Sequence, residues 1–361
     1  MNLMIARVIS VKKASVATLS LFLALSLDLA VAQSPPLPLG SVSTVTPLSS
    51  CPADYNSGAD CFQAKVSCPN TADISVTYGV LNPQGIPRGT IVLLRGAGGT
   101  EAGLNNYAAT YLQSGFRILQ TAWATQWEDT SLPTKSVKTA ACRAATLLNF
   151  FDQNFYEGNG GMCAQGFSAG SAEIAYSLTA YGSSNYLDKV ELLSGPVFSD
   201  IAQGCMVPQA PPVTGCAPGQ FGCFGAPWLD KPQYVAAIQP LVGILTGHKC
   251  QSKTPTSLQD DATWKAMSIV DGTTAPSFVY PKTAMAGWLC SNALNNSAAQ
   301  GEIYYRNFTG LGQTPQYSLT RIDGCLGPEG VDSGTTPDGE RGFIAISTDM
   351  TDPIAGCIKR H

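Results

Sequence analysis

Met162-Cys163-Ala164-Gln165-Gly166-Phe167-Ser168-Ala169-Gly170-Ser171-Ala172 is the stretch on which the folding of this chain turns. Met162 to Gln165 is a short apolar run with the length of a buried strand, and Ala169 to Tyr181 has the composition of a helix, with small residues at Gly170, Ala172 and Ala175. Between them stands Gly166-Phe167-Ser168-Ala169-Gly170, a Gly-x-Ser-x-Gly turn. A direct passage from strand to helix forces the serine into a sparsely allowed backbone conformation, and its neighbours must be small to avoid collision. The hydroxyl then projects above the strand end, with the positive end of the next helix facing a negative oxygen that develops beside it. A bare match to this pattern arises by chance in any glycine-rich turn. The strand before it and the helix after it make Ser168 a candidate nucleophile.

Working outward, the same strand–helix rhythm continues. Thr90 to Leu94 is a β-branched apolar run ending in Arg95-Gly96-Ala97-Gly98-Gly99. A helix is predicted around Leu104 to Leu112, then a strand at Phe116 to Trp123. Val137 to Phe151 follows as a helix, with apolar residues at Val137, Ala140, Ala141, Ala144, Leu147, Leu148 and Phe151 in 3.6-residue spacing. Another strand is predicted at Val190 to Leu193. Such alternation predicts an α/β fold with a mainly parallel central sheet flanked by helices. Upstream, Phe62 to Val80 alternates and turns at Pro69-Asn70, as an antiparallel hairpin would. Residues 199 to about 270 break the rhythm with four cysteines, several prolines and one helical piece from Tyr234 to Leu245, and read as a Cys-rich insertion. Strand signals return at Ser277 to Tyr280, Ala284 to Leu289 and Tyr317 to Ile322, before a terminal helix around Arg341 to Met350.

On the Gly-x-Ser-x-Gly turn, its strand–helix context and the glycine loop after Leu94, the chain resembles the α/β-hydrolase superfamily over roughly residues 60 to 350. It is similar in layout to secreted esterases and lipases. The resemblance implies that the 95–99 loop lends backbone amides to an oxyanion hole, so Ala97 or Gly98 would act with the amide of Ala169. Arg95 stands where such loops often carry histidine. The resemblance also implies the order nucleophile, acid, histidine, with the acid after a late strand and the histidine after the last one. This chain departs from that pattern twice. Glu302 is the only acid between Asp271 and Asp323, and Cys290-Ser291-Asn292 follows the strand predicted to end near Leu289. The residues before Thr336-Pro337-Asp338-Gly339 include Glu329, Asp332 and Ser333 but no histidine.

The chain holds 2 histidines. His248, in the insertion beside Cys250, is the candidate base; otherwise it is a helix-end histidine meeting the carbonyls after Leu245. His361 ends the chain and reads as a solvated tail. Asp200, beyond the strand at Val190 to Leu193, is the candidate acid of a relocated triad with His248. Asp323 and Asp332 are the other carboxylates near the family position.

Residues 1–32 read as a secretory signal peptide. Arg7, Lys12 and Lys13 precede an apolar run, which is uninterrupted from Ala14 to Leu27 and too short for a comfortable membrane span, and the segment ends on Ala30-Val31-Ala32. No later segment reaches ~20 consecutive apolar residues, so no membrane span is expected. Residues 33–50 are rich in Pro, Ser and Thr and read as a flexible lead-in; residues 51–361 form the hydrolase domain with its insertion at about 199–270. Without residues 1–32 the chain carries 18 basic against 24 acidic groups, a net of −6, which argues against nucleic acid as a partner. Only 13% of residues are charged, against about 25% in an ordinary soluble domain. All 12 cysteines follow the signal, and an even count in an exported chain predicts disulfides. Paired C-x-x-C knuckles are missing, so no metal site is predicted, and nothing calls for a cofactor. Cys163, inside a central strand, reads as either a disulfide partner or a buried free thiol.

Two functions follow. One is a secreted serine hydrolase acting on carboxylic esters, small or polymeric, through Ser168. The alternative is a catalytically impaired hydrolase-fold protein that binds a ligand or partner in the old pocket. The turn at Ser168 favours the first, and the missing acid and histidine favour the second.

Overall fold

A computed structural model of the chain describes residues 36–128, 136–201, 258–270, 280–290, 296–311, 317–322 and 337–360. In chain order these form β1 (Ser41–Pro47), β2 (Asp60–Ser67), β3 (Ile74–Leu81), β4 (Thr90–Leu94), α1 (Asn105–Gln113), β5 (Arg117–Trp123), α2 (Val137–Ala140), α3 (Cys142–Phe155), β6 (Met162–Phe167), α4 (Ala169–Tyr181) and β7 (Lys189–Leu193). Beyond residues 202–257 come α5 (Leu258–Met267), β8 (Ala284–Cys290), α6 (Asn296–Leu311), β9 (Tyr317–Ile322) and α7 (Pro337–Thr351).

The strands join into one sheet in the order β1-β2-β3-β5-β4-β6-β7-β8-β9. β1, β2 and β3 pair antiparallel, as does β3 with β5; every pairing from β5 through β4 to β9 is parallel. The chain runs from β4 to β5 on one side of it and then crosses to β6 on the other, so β4 lies where the winding reverses. A mostly parallel sheet with crossover helices on both faces, and a serine turn closing its central strand, is the α/β-hydrolase fold. The central strands carry side chains to both faces in strict alternation. Ile91 and Leu93 pack with Tyr107 and Tyr111 of α1 and with Ile346 and Met350 of α7. Val92 and Leu94 pack with Leu147 and Phe151 of α3 and with Ala172 and Tyr176 of α4. Burial on both faces is why β4 reads as a continuous apolar run and β6 nearly so, while β7 is fully buried yet carries Lys189 and Glu191.

Most expected elements stand within a few residues of their sequence positions. Two readings are corrected and one left open is decided. Residues 41–47, taken as part of a flexible lead-in, form the edge strand β1, paired antiparallel with β2. That strand is exposed along nearly its whole length, so neither face imposes the period-2 pattern by which a strand is read. The single helix expected over 137–151 is divided at Ala141 into α2 and α3, and α3 runs on to Phe155. Cys163 is not a free thiol: it is bonded to Cys357, beside Cys51–Cys61 and Cys68–Cys142. Among the described residues no cysteine is free. The strand expected at Ser277 to Tyr280 and the helical piece at Tyr234 to Leu245 lie outside the described residues, apart from Tyr280, which is not in a strand. Among the described residues no helix is long and apolar enough to cross a membrane.

Cys163–Cys357 ties the centre of the sheet to the chain's C-terminal tail across 194 residues. A loop of that length is worth about 4–5 kcal/mol on chain entropy. The Cys163→Ala/Cys357→Ala variant is therefore expected to lose about 3–5 kcal/mol in urea unfolding, and alkylation of the denatured, unreduced wild type should leave Cys163 unlabelled. A loss below about 1 kcal/mol, or an alkylated Cys163, would contradict the crosslink.

Candidate active site

Ser168 sits between the last residue of β6 and the first of α4, at φ 53° and ψ −111°. Non-glycine residues avoid this region because Cβ crowds the backbone, a cost of order 1–3 kcal/mol that the surroundings must offset. Three features hold it there. The Ser168 N–H donates to the Leu193 carbonyl at 2.8 Å, fastening the turn to the end of β7. A Cβ on Gly166 would lie 2.4 Å from the Gly170 carbonyl oxygen, and one on Gly170 would lie 2.2 Å from the Leu94 oxygen. Both glycines are demanded by backbone contacts that cannot yield, which gives the sequence pattern its physical cause. The Ser168 side chain is 8% exposed at the first turn of a 13-residue helix.

The glycine loop lies directly over the serine. A Cβ on Gly96 would come within 2.9 Å of Ser168 Cβ. Ala97–Gly99 make a single 3₁₀ turn in which Gly98 and Gly99 take φ of 75° and 68°, conformations that glycine supplies without strain. The Gly99 N–H closes this turn on the Gly96 carbonyl at 3.0 Å, and the Gly98 carbonyl accepts from the Trp127 N–H at 3.0 Å. At its far end the loop is anchored by Asp54, whose Oδ2 accepts from the Ala102 N–H at 2.6 Å. Gln120 Nε2 donates to the Gly103 carbonyl at 2.6 Å. Arg95 pairs with Glu101 and packs over Gly103.

The loop leaving β7 closes the other side. A Cβ on Gly195 would lie 2.0 Å from Ser171 Oγ and 3.1 Å from the Ser168 carbonyl oxygen. Ser194 and Phe198 in this loop also have positive φ. Asp200 follows, half-buried, its backbone N–H donating to Gln300 Oε1 at 2.7 Å and its carbonyl accepting from Gln300 Nε2 at 2.9 Å. Ile269 and Val270 donate to the carbonyls of Phe198 and Ser199, so the chain on either side of residues 202–257 is laced together beyond the C-terminal end of β7. The Ser168 turn and Ala97, Gly98 and Ala169 thus come together at one end of the sheet, and Asp200 lies on a loop leaving that same end. His248, His361, Asp323 and Asp332 lie outside the described residues.

One residue beside the site was missed in the sequence reading. Glu173, on α4, is 1% exposed, and its Oε2 accepts from Trp123 Nε1 at 3.0 Å. Its Oε1 has no hydrogen-bond partner. Burial pushes this carboxyl well above the ordinary range, the neighbouring Glu128 adds to the rise, and the Trp123 hydrogen bond opposes it. A lone acid in an otherwise apolar helix is the only hint the sequence offered.

A cavity of about 550 Å³ lies elsewhere, lined in part by Lys189, Ala284 and Tyr317. These residues are at or near the starts of β7, β8 and β9, at the opposite pole from Ser168. In parallel sheets the reactive groups gather at the carboxyl ends of strands, where the winding reverses. We therefore place the site at Ser168, beside the end of β4, and not in this cavity.

No protein-family model matches the chain, and no curated protein is found similar to it in sequence. Solved structures are found similar in layout. One is a lipase in its open form, 13% identical, covering 80% of this chain and 98% of that one at a TM-score of 0.47. Another is a hyperthermophilic esterase from the archaeon Pyrobaculum calidifontis, 12% identical over 81% and 86% of the two chains, TM-score 0.47. A third is carboxyl esterase 2 from the mycorrhizal fungus Tuber melanosporum, 16% identical over 83% and 87%, TM-score 0.47. The fold assignment rests on the sheet order and the Ser168 turn described above.

The raised Glu173 carboxyl has a consequence for stability. An unfolded glutamate titrates near pKa 4.3, whereas the folded one keeps its proton to higher pH. Between those values the native state binds the proton more tightly, so this group's contribution falls as pH rises above about 4.3. Glu173→Gln removes that drift. Urea unfolding should show the variant gaining on wild type steadily from about pH 4 to about pH 7. A difference that stays flat or shrinks over that interval would contradict the buried, proton-holding carboxyl.

Proposed function

We propose that this protein is a secreted serine hydrolase that cleaves carboxylic esters, with Ser168 as its nucleophile. The observation that carries the reading is the strained Ser168 backbone at the head of α4, with the Gly96–Gly99 loop packed over it. A fold that sustains such strain on a serine at the end of its central strand is paying a stability cost consistent with a reactive role.

In this reading Ser168 Oγ attacks the acyl carbon of an ester as a base removes its proton. The carbonyl oxygen becomes an alkoxide, met by the amide of Ala169 and by that of Ala97 or Gly98. Collapse expels the alcohol, which takes up the proton, and leaves an acyl-serine. Water, deprotonated by the same base, then attacks the acyl carbon and releases the carboxylic acid, restoring Ser168 Oγ–H. We assign the base to His248 and its orienting acid to Asp200. Support for the assignment comes from the lacing of residues 198–199 to 269–270, because both flanks of the insertion emerge at the same end of the sheet as Ser168. Three described disulfides support an oxidising destination, in keeping with a cleaved signal at residues 1–32. The substrate is a small or polymeric ester, and the chemistry needs neither metal nor cofactor.

A fluorophosphonate is expected to label wild-type protein at Ser168, and Ser168→Ala to abolish labelling. His248→Ala should lower hydrolysis of a short-chain nitrophenyl ester by at least ~10³-fold, because triad members act as a unit. His361→Ala should be nearly silent. A wild type that resists the probe and cleaves no such ester above background would overturn the hydrolase reading and leave a ligand-binding protein in its place.

A further inference from the structure

Helix α4 is buried at every residue but Thr179, and its one charged side chain is Glu173, five residues after Ser168. An acid in that position gives up its hydration, and a helix that needed only packing would be better served by leucine or methionine. What Glu173 receives in return is one bond, from Trp123 Nε1 at 3.0 Å, where β5 ends. The other oxygen is unpartnered and faces the glycine loop. A Cβ on Gly99 would lie 2.8 Å from Trp123 Cδ1 and 3.1 Å from Glu173 Oε1. The backbone of Gly99 therefore rests on the Trp123–Glu173 pair as on a floor. The Gly99 N–H is bonded to the Gly96 carbonyl, and Gly96 in turn packs against Ser168 Cβ. An unbroken set of contacts thus leads from Glu173 through Trp123 and Gly99 to the backbone above the serine.

We propose that Glu173 is a positioning residue for the hydrolysis assigned above: through Trp123 and Gly99 it sets the height and tilt of the Gly96–Gly99 loop, and so the aim of the loop amide at the substrate oxygen. The inference rests on the hydrolase reading for its catalytic consequence, but not for the loop contact itself. Amide aim matters because removing one oxyanion donor costs roughly 10²–10³ in rate, and a shift of about 1 Å costs about as much as 10²-fold. Burial, with the neighbouring Glu128 adding to it, pushes the Glu173 carboxyl up, and what it offers Trp123 is an acceptor oxygen. Glutamine, which keeps the acceptor for Trp123, should replace it.

The test compares Glu173→Gln with Glu173→Leu, and uses Trp123→Phe as a second lesion from the other side of the bond. We expect Glu173→Gln to keep kcat within about threefold of wild type on a nitrophenyl ester. Glu173→Leu and Trp123→Phe should lower kcat about 10-fold to 100-fold while KM moves less than about threefold, because the amide acts on the transition state and not on ground-state binding. Hydrogen exchange should quicken in the peptide covering residues 95–104 in Glu173→Leu and Trp123→Phe, and match wild type in Glu173→Gln. Either lesion variant, if folded, with kcat within threefold of wild type and unchanged exchange would overturn the proposal. So would a glutamine variant as impaired as the leucine one. If Glu173→Leu fails to fold, Trp123→Phe carries the comparison. If wild type proves inactive, the hydrolase reading fails separately, and the exchange of residues 95–104 still decides whether Glu173 holds the loop.

Discussion

Everything at the candidate site follows from how closely α4 approaches the end of β4. Gly170 brings the first turn of the helix so near Leu94 that a single methyl group on it would sit 2.2 Å from the strand's carbonyl oxygen. No side chain fits there, and no small shift of a helix and a central strand would make room. That approach fixes the start of α4 above the sheet and leaves Ser168 to bridge a gap that only a positive φ can span. It also brings the loop after Leu94 over the serine, because β4 ends where the helix begins. Chain winding reverses at β4, and the carboxyl end of such a strand is where parallel sheets gather their ligands. One backbone contact therefore underlies both the strain on the serine and the closeness of the Gly96–Gly99 loop to it.

Around that contact the protein has built a rigid frame. The glycine loop is held at one end by Asp54 and Gln120 and at the other by Trp123, Glu173 and Trp127. The Ser168 turn is fastened sideways to β7, and the strand beneath it is crosslinked to the C-terminal tail through Cys163. Such redundancy is what a sparsely allowed serine conformation requires, since an unsupported one would relax. In a chain with only 13% charged residues, much of this support comes from backbone bonds, glycine contacts and disulfides. Burial pushes the carboxyls of two acids in this frame, Glu173 and Glu191, well above the ordinary range.

The sequence was legible where a physical rule writes itself into spacing. β4 and β6 are buried on both faces and appear as mainly apolar runs; α3 shows its buried stripe; Gly166 and Gly170 mark the turn because nothing larger fits. It was illegible where the rule leaves no pattern. β1 lies exposed at the sheet edge, so burial imposes no alternation on Ser41–Pro47. The division at Ala141 leaves the apolar repeat of α2 and α3 unbroken, since a change of helix axis need not change which positions are buried. Disulfide partners are set by the three-dimensional meeting of strands and tail, so Cys163 could be placed in a strand but not matched with Cys357. The glutamate in α4 reads as an ordinary helix residue until Trp123, fifty positions earlier, is brought beside it. Of the candidate site, the serine turn and the glycine loop were each readable because each is a short local pattern at the end of a strand. No base or acid was legible in the same way, because the positions that the resemblance implies hold neither here and His248 lies outside the described residues.

The central claim is that the strained turn presents Ser168 as a nucleophile with the loop amides aimed at the oxygen of its substrate. A crystal structure of protein treated with a fluorophosphonate tests that most directly. The account predicts continuous density from Ser168 Oγ to phosphorus, with the phosphoryl oxygen within hydrogen-bond distance of the Ala169 N–H and of the Ala97 or Gly98 N–H. An adduct whose phosphoryl oxygen points to solvent, or an adduct on any residue other than Ser168, would contradict it.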